Sequence, residues 1–240
     1  MQRRPRLRVG LFLRSLAVLV VGFNGAFFKR EWRNLDAIPV DGPTIVAANH
    51  VSYVDPVILA CFVWDAARVP RYLAKASLFR IPVVGWVIAK AGQIPVERGS
   101  RDAASSLDAA AEALRAGELV VVYPEGTVTR DPGFWPMSAK TGLARLALLV
   151  PEAKVIPVGQ WGAQNAVDVY HKRYRLFPRK TVTISVGAPV DLSKYSGAAP
   201  TTQVLREVTD TVMVAVRDQV AAIRGEPAPA EFARRPASDG

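Results

Sequence analysis

The chain has 240 residues, 50% apolar and 22% charged, which is long enough for one domain with a sizeable core and too apolar for intrinsic disorder. A single cysteine, Cys61, excludes an internal disulfide framework or a cysteine zinc cage, and two histidines, His50 and His171, leave little for a multi-histidine metal site. The formal net charge of +10 calls for something acidic: nucleic acid, a membrane surface or a phosphorylated substrate.

That charge is concentrated at the start of the chain. Residues 1–33 carry Arg3, Arg4, Arg6, Arg8, Arg14, Lys29, Arg30 and Arg33 against Glu31 alone, a local +7 that leaves only +3 for the rest. A nucleic-acid binder would spread its cations over a folded face, so no nucleic-acid partner is expected. Here the cations bracket an uncharged, mostly apolar run, Ser15–Phe28. As a helix that run is roughly 21 Å long, short of the roughly 30 Å hydrocarbon core. A membrane-associated helix, interfacial or shallowly inserted, fits it best. A spanning helix, a secretory signal and an ordinary core helix are the competing readings, and no clean small-x-small cleavage site follows. Each cation near an anionic leaflet adds about 1 kcal/mol of attraction.

Mixed α/β patterning follows. Pro43–Ala48 reads as a buried strand, and Asp55-Pro56 as a helix start, with Asp55 as N-cap and Pro56 at the first helical position. Arg71–Ala74 reads as a weak strand, Pro82–Ala91 as an apolar helix stopping near Gly92, and Gln93–Val96 as a short strand. Ser100 is placed to cap an Ala-rich helix that runs to about Ala116 and ends at Gly117. Leu119–Tyr123 is the clearest buried strand; a helix over Ala139–Val150 and strands over Lys154–Val158 and Thr181–Val186 come next. Val204–Ile223 is a periodic amphipathic helix, and the Pro/Ala-rich tail from Gly225 is expected to be disordered. The expected fold is therefore α/β: a mostly parallel central sheet flanked by helices, preceded by the membrane-associated segment. The expected divisions are 1–33 for that segment, 34–224 for the α/β domain and 225–240 for the tail.

Chemistry concentrates on a few connections. His50 and Asp55 lie between a buried strand and a helix, where α/β sheets place ligand sites. On one helix, positions five apart point about 140° from each other, so the pair meets only if His50 is in the loop and Asp55 starts the helix. A carboxylate on one imidazole nitrogen makes the other a general base; alternatively Asp55 merely caps the helix and His50 is a hydrogen-bonded loop residue. Glu125 and Gly126 come directly off the Leu119–Tyr123 strand, and with Thr127 and Thr129 they offer either a nest for a phosphate or a capped turn. Arg98 and Arg101 flank a helix start, a phosphate-binding arrangement or an ordinary pair of surface arginines. Pro157 marks an edge or turn near Gly159 and Trp161 and carries no chemistry of its own. Cys61 reads as a small buried apolar residue and His171 as a solvated basic one. No P-loop, GxGxxG or HExxH pattern is present, so no cofactor and no metal are expected.

The segments NHVSYVD, IPVERG, YPEGTVT and VIPVG resemble, in order and spacing across about half of the chain, the four motifs of the glycerolipid acyltransferase family, bacterial 1-acyl-glycerol-3-phosphate acyltransferases in particular. The resemblance implies His50 as base, Asp55 as its orienting partner and Arg98 as the cation holding an acceptor phosphate. It also implies Glu125 and Gly126, with Thr127, at the acceptor glycerol phosphate, and Pro157 in the fourth motif. Where the family usually has FPEGTRS, Val128 stands at the arginine position and Arg130 two residues on, so Arg130 becomes a candidate head-group contact. The implied reaction transfers a fatty acyl group directly from acyl-CoA or acyl carrier protein to a lysophosphatidate-like acceptor, with amides near the helix start stabilising the oxyanion. It would take place at an anionic membrane surface, on the cytoplasmic face of the cytoplasmic membrane. Competing readings are another acceptor (glycerol 3-phosphate, another lysophospholipid or a glycolipid) and a non-catalytic membrane-surface binder, against which the His50/Asp55 pair argues.

Overall fold

A computed structural model of the chain describes residues 9–97, 103–168 and 170–234. Helix α1 (Leu11–Phe27) runs directly into strand β1 (Phe28–Arg33), followed by β2 (Thr44–Ala48) and α2 (Asp55–Asp65). Next come β3 (Pro70–Lys75), α3 (Val84–Lys90), β4 (Ile94–Val96), α4 (Ala103–Arg115), β5 (Leu119–Val122), α5 (Gly142–Leu149) and β6 (Lys154–Trp161). A small antiparallel pair, β7 (Val167–Asp168) and β8 (Arg173–Tyr174), precedes β9 (Lys180–Val186) and α6 (Thr202–Arg224).

Among the described residues seven strands form one sheet in the order β1-β9-β6-β2-β5-β3-β4. All neighbours are parallel except β6 with β9. The mostly parallel, helix-flanked α/β fold expected from the sequence is the fold found. Alternate residues along β2 serve the two faces: Val46 and Ala48 pack with α2 residues Ile58, Leu59 and Phe62, whereas Ile45 and Ala47 pack with α4, α5 and α6. Coverage on both sides is why the central strands read as continuous apolar runs. Helix α6 is bounded by a Thr201 Oγ1 cap on the Val204 amide and by Gly225 at φ 68°, a left-handed position that suits glycine.

Several boundaries differ from expectation. Residues 28–33, read with the N-terminal segment, form strand β1 against β9; only Phe28 is buried, so FKREWR carries no readable alternation. Val54, not Asp55, is the N-cap of α2, and Asp55 is its first residue. Pro157 is neither at an edge nor in a turn: it sits inside β6, opposite Ala47 of β2. Its carbonyl accepts from the Gly187 amide, so the side of Pro157 lacking an N–H faces the end of β9 and costs no bond to β2. Of the tail expected to be disordered, residues up to 234 are described; Ala233 pairs with Met137, and its carbonyl accepts from Ser138.

Candidate active site

The site is built at the C-terminal ends of β2 and β5, adjacent parallel strands. Off β2, the loop 49–54 turns back so that Asp55 Oδ2 accepts from the amides of Val51 and Ser52, both at 2.7 Å, and meets His50 Nδ1 at 2.8 Å. A carboxylate oxygen that accepts two amides accepts from the imidazole as well, so Nδ1 carries the hydrogen and Nε2 presents a lone pair. His50 and Asp55 are thus brought together as the loop-then-helix reading requires. Asp55 is fully buried, and its Oδ1 has no hydrogen-bond partner among the described residues. The Val51 and Ser52 amides are committed to Asp55.

Off β5, Glu125 is fully buried and both carboxylate oxygens face inward: Oε1 accepts from the His50 amide at 3.0 Å, Oε2 from the Met137 amide at 2.9 Å. Burial pushes its carboxyl up to about 8, the two amide donors opposing that rise. This placement makes Glu125 a brace for the His50 backbone. Gly126 has φ 72°, which an L side chain rarely adopts, and the Lys140 side chain lies over it. Thr127 is half-buried in the same turn. Thr129 is internal to the loop: its amide donates to the His50 carbonyl at 2.7 Å and its hydroxyl to the Trp135 carbonyl. Arg130 is exposed, with its guanidinium 5.5 Å from the Tyr170 ring, whose hydroxyl bonds the Val128 carbonyl. Val128 itself is buried.

Pro157 does not join this group; its ring packs toward Gly187 near Gln219, on the α6 side of the sheet. Arg98, with Ser100 and Arg101, lies outside the described residues. Cys61 is buried, its Sγ against the Val20 carbonyl, and burial pushes its thiol up to about 11. His171 also pairs with a carboxylate, Asp168 Oδ2 at 2.7 Å, but its side chain is 61% exposed on the β7–β8 turn. Pairing alone therefore does not distinguish the two histidines, and Asp168 too accepts a backbone amide, that of His171 at 3.2 Å; burial distinguishes them. Among the described residues no cluster of three or more histidine, cysteine or acidic side chains is arranged for a metal.

Sequence reasoning missed two supports. His50 stacks on Tyr123 with ring centres 4.4 Å apart, and Tyr123 stacks in turn on Tyr72 at 6.3 Å. Burial holds both phenols well above their usual range, so they stay neutral and cannot replace the histidine as base. Asn49 and Gln160 exchange hydrogen bonds, Asn49 Nδ2 to the Gln160 carbonyl at 3.0 Å and the Gln160 amide to Asn49 Oδ1 at 2.8 Å, locking the His50 loop to β6. The one sequence signal was position: Asn49 precedes His50, and Tyr123 precedes PEG.

A family model described as Acyltransferase matches residues 29–161. A chloroplastic 1-acyl-sn-glycerol-3-phosphate acyltransferase of Brassica napus is 29% identical over 153 residues, covering 60% of this chain and 43% of that protein. The 1-acyl-sn-glycerol-3-phosphate acyltransferase of Borreliella burgdorferi is 30% identical over 163 residues, 68% of this chain and 58% of that protein. The chain thus spans about half the length of the curated relatives it matches. The crystal structure of the 1-acyl-sn-glycerophosphate acyltransferase from Thermotoga maritima superposes with a TM-score of 0.64 at 24% identity, over 90% of this chain and 81% of that one, a likeness of fold. The matched span runs from β1 through β6 and contains His50, Asp55 and Glu125 with the strands that carry them: the chain belongs to the acyltransferase family.

Proposed function

We propose that this protein transfers a fatty acyl group from an acyl thioester, on coenzyme A or acyl carrier protein, to the free hydroxyl of a lysophosphatidate-like acceptor. The observation that carries the reading is the His50 Nδ1–Asp55 Oδ2 contact at 2.8 Å, with Asp55 itself fixed by two amides. Nε2 takes the hydroxyl proton as the acceptor oxygen attacks the thioester carbonyl carbon. The tetrahedral adduct then collapses, the carbon–sulfur bond breaks, and the imidazolium returns the proton to the departing sulfur. Asp55 stabilises the imidazolium between the two steps. No acyl-enzyme is needed, and Cys61, buried with its thiol pushed up to about 11, is unsuited to form one. Arg98 and Arg130 are the cations assigned to the acceptor phosphate, and the reaction takes place at an anionic membrane surface, on the cytoplasmic face.

Support for the membrane part comes from α1. Its outward stripe, Leu11, Arg14, Ser15, Val18, Leu19, Gly22, Phe23 and Ala26, contains one charge and is exposed throughout. The opposite side is tied to α2, where Asn24 Nδ2 donates to the Val57 carbonyl. Its 17 residues reach only about 26 Å, and among the described residues no helix is long and apolar enough to cross a membrane. An interfacial helix is the arrangement that satisfies both facts. The reading is tested by free-thiol release from acyl-CoA with and without lysophosphatidate, and by a panel of phosphate-bearing and phosphate-free acceptors. Release that needs the acceptor and prefers the phosphate supports it. Equal use of phosphate-free acceptors removes Arg98 and Arg130 from the assignment.

A further inference from the structure

Between β3 and β4 the chain leaves the sheet and makes an exposed apolar turn. A 3₁₀ turn, Ala76–Arg80, leads through Ile81-Pro82-Val83 into α3. Ile81 is 45% exposed, Val83 74%, Val84 44% and Trp86 58%. Val83, at the tip, has φ 66°, a backbone conformation that is strained for a β-branched residue. The turn is nonetheless tightly built: the Gly85 amide bonds the Ile81 carbonyl at 2.7 Å, and a Cβ on Gly85 would come within 2.1 Å of the Phe79 carbonyl oxygen. A rigid segment that holds a strained valine and a tryptophan in water needs another medium to cover them.

Three observations identify that medium. The turn adjoins the start of α1, because half-buried Phe12, next to exposed Leu11, packs edge-on against Trp86 at 5.4 Å and Lys90 Nζ lies within 4.8 Å of both rings. Its charged residues are cationic, Lys75, Arg80 and Lys90, against Glu97 alone, which pairs with Arg80. A second copy of this face would set like charges against one another, whereas an anionic lipid surface complements them. The turn also follows β3, which is parallel to β5, as β5 is to β2, so it leaves the same edge of the sheet as His50 and Glu125.

We propose that the Ile81–Trp86 turn is a second membrane anchor, inserting its apolar tip into an anionic leaflet beside α1 and holding the mouth of the site against the lipid. The inference rests on the membrane part of the proposed function. It is tested on the full chain in a Cys61→Ala background carrying Val83→Cys labelled with an environment-sensitive dye, mixed with phosphatidylglycerol/phosphatidylcholine vesicles. The expected result is a blue-shifted dye emission that lipid-borne nitroxides quench. Val83→Asp should weaken vesicle binding by about tenfold, with an unchanged circular dichroism spectrum and unchanged thiol release in detergent. If the chain binds the vesicles while the dye stays in water, only the second anchor is overturned. If the chain does not bind at all, the membrane part of the proposed function falls with it, and the detergent assay still reports on the acyl transfer. A concentration-dependent dimer abolished by Val83→Asp would assign the face to a second copy and overturn the proposal.

Discussion

Asp55 Oδ2 carries three contacts at once: the imidazole of His50 and the amides of Val51 and Ser52. Asp55→Asn cannot reproduce them in full, because a neutral amide oxygen accepts more weakly than a carboxylate, carries no charge to stabilise an imidazolium, and brings an NH2 group to the buried position of the unpartnered Oδ1. Acyl transfer by this variant should fall by about 10²–10⁴-fold, and urea denaturation should show a loss of about 1–3 kcal/mol. Wild-type thiol-release rates for Asp55→Asn would contradict the role given to the pair. Glu125 yields a pH prediction. Its carboxyl is raised from 4.5 to about 8, so the folded state holds a proton that the unfolded state releases earlier. The stabilisation from neutral Glu125 is complete below about 4.5 and is lost as the pH climbs to about 8. Urea midpoints measured from pH 5 to 9 should therefore decline more in wild type than in Glu125→Gln. The variant should also be less stable at the low end by about 1–3 kcal/mol, because one of its amide hydrogens must face the His50 or Met137 amide. The His50–Asp55 pairing was legible because Asp55-Pro56 marks a helix start, forcing the two side chains into one turn. That Glu125 would brace His50 was not, since the bond spans 75 positions and nothing near Glu125 announces its partner.

At the scale of elements, the loop bearing His50 is held by strands on both sides of β2. Glu125 follows β5 and Gln160 lies in β6, so the histidine backbone is fixed from both neighbours. Removing the Asn49 side chain strands the Gln160 amide in the interior and frees one end of the loop. Asn49→Ala is expected to cost about 1–3 kcal/mol in stability, with faster hydrogen exchange in residues 49–54 than elsewhere in the sheet. Uniform exchange throughout would show that this pair does not hold the loop. Central elements were readable because burial on both faces writes long apolar runs, as in Leu119–Val122. The edge was not: β1 contributes one buried side chain to the core, and its charged residues disguised it as an extension of the N-terminal segment. Pro157 misled for a related reason, since proline in a central strand is tolerated only where its missing donor faces no partner, a matter of register with Gly187.

For the whole molecule, the +10 net charge resolves into places. Lys29, Arg30 and Arg33 belong to the sheet edge, whereas Arg14 and Lys90 belong to the apolar surface shared by α1 and α3. Arg130, two positions past buried Val128, stands over Tyr170. The four ordered motifs made the family and the strand ends legible; the acceptor contacts proposed for Arg98 and Arg130 were not, because they fall on two segments 32 positions apart. The proposed chemistry stands on His50 as the base. Its most direct measurement is the rate of free-thiol release from acyl-CoA in the presence of lysophosphatidate, compared between wild type and His50→Ala, with folding checked by circular dichroism. A folded variant whose acceptor-dependent rate is lower by about 10²–10⁴-fold is the predicted result; a folded variant with the wild-type rate would contradict it.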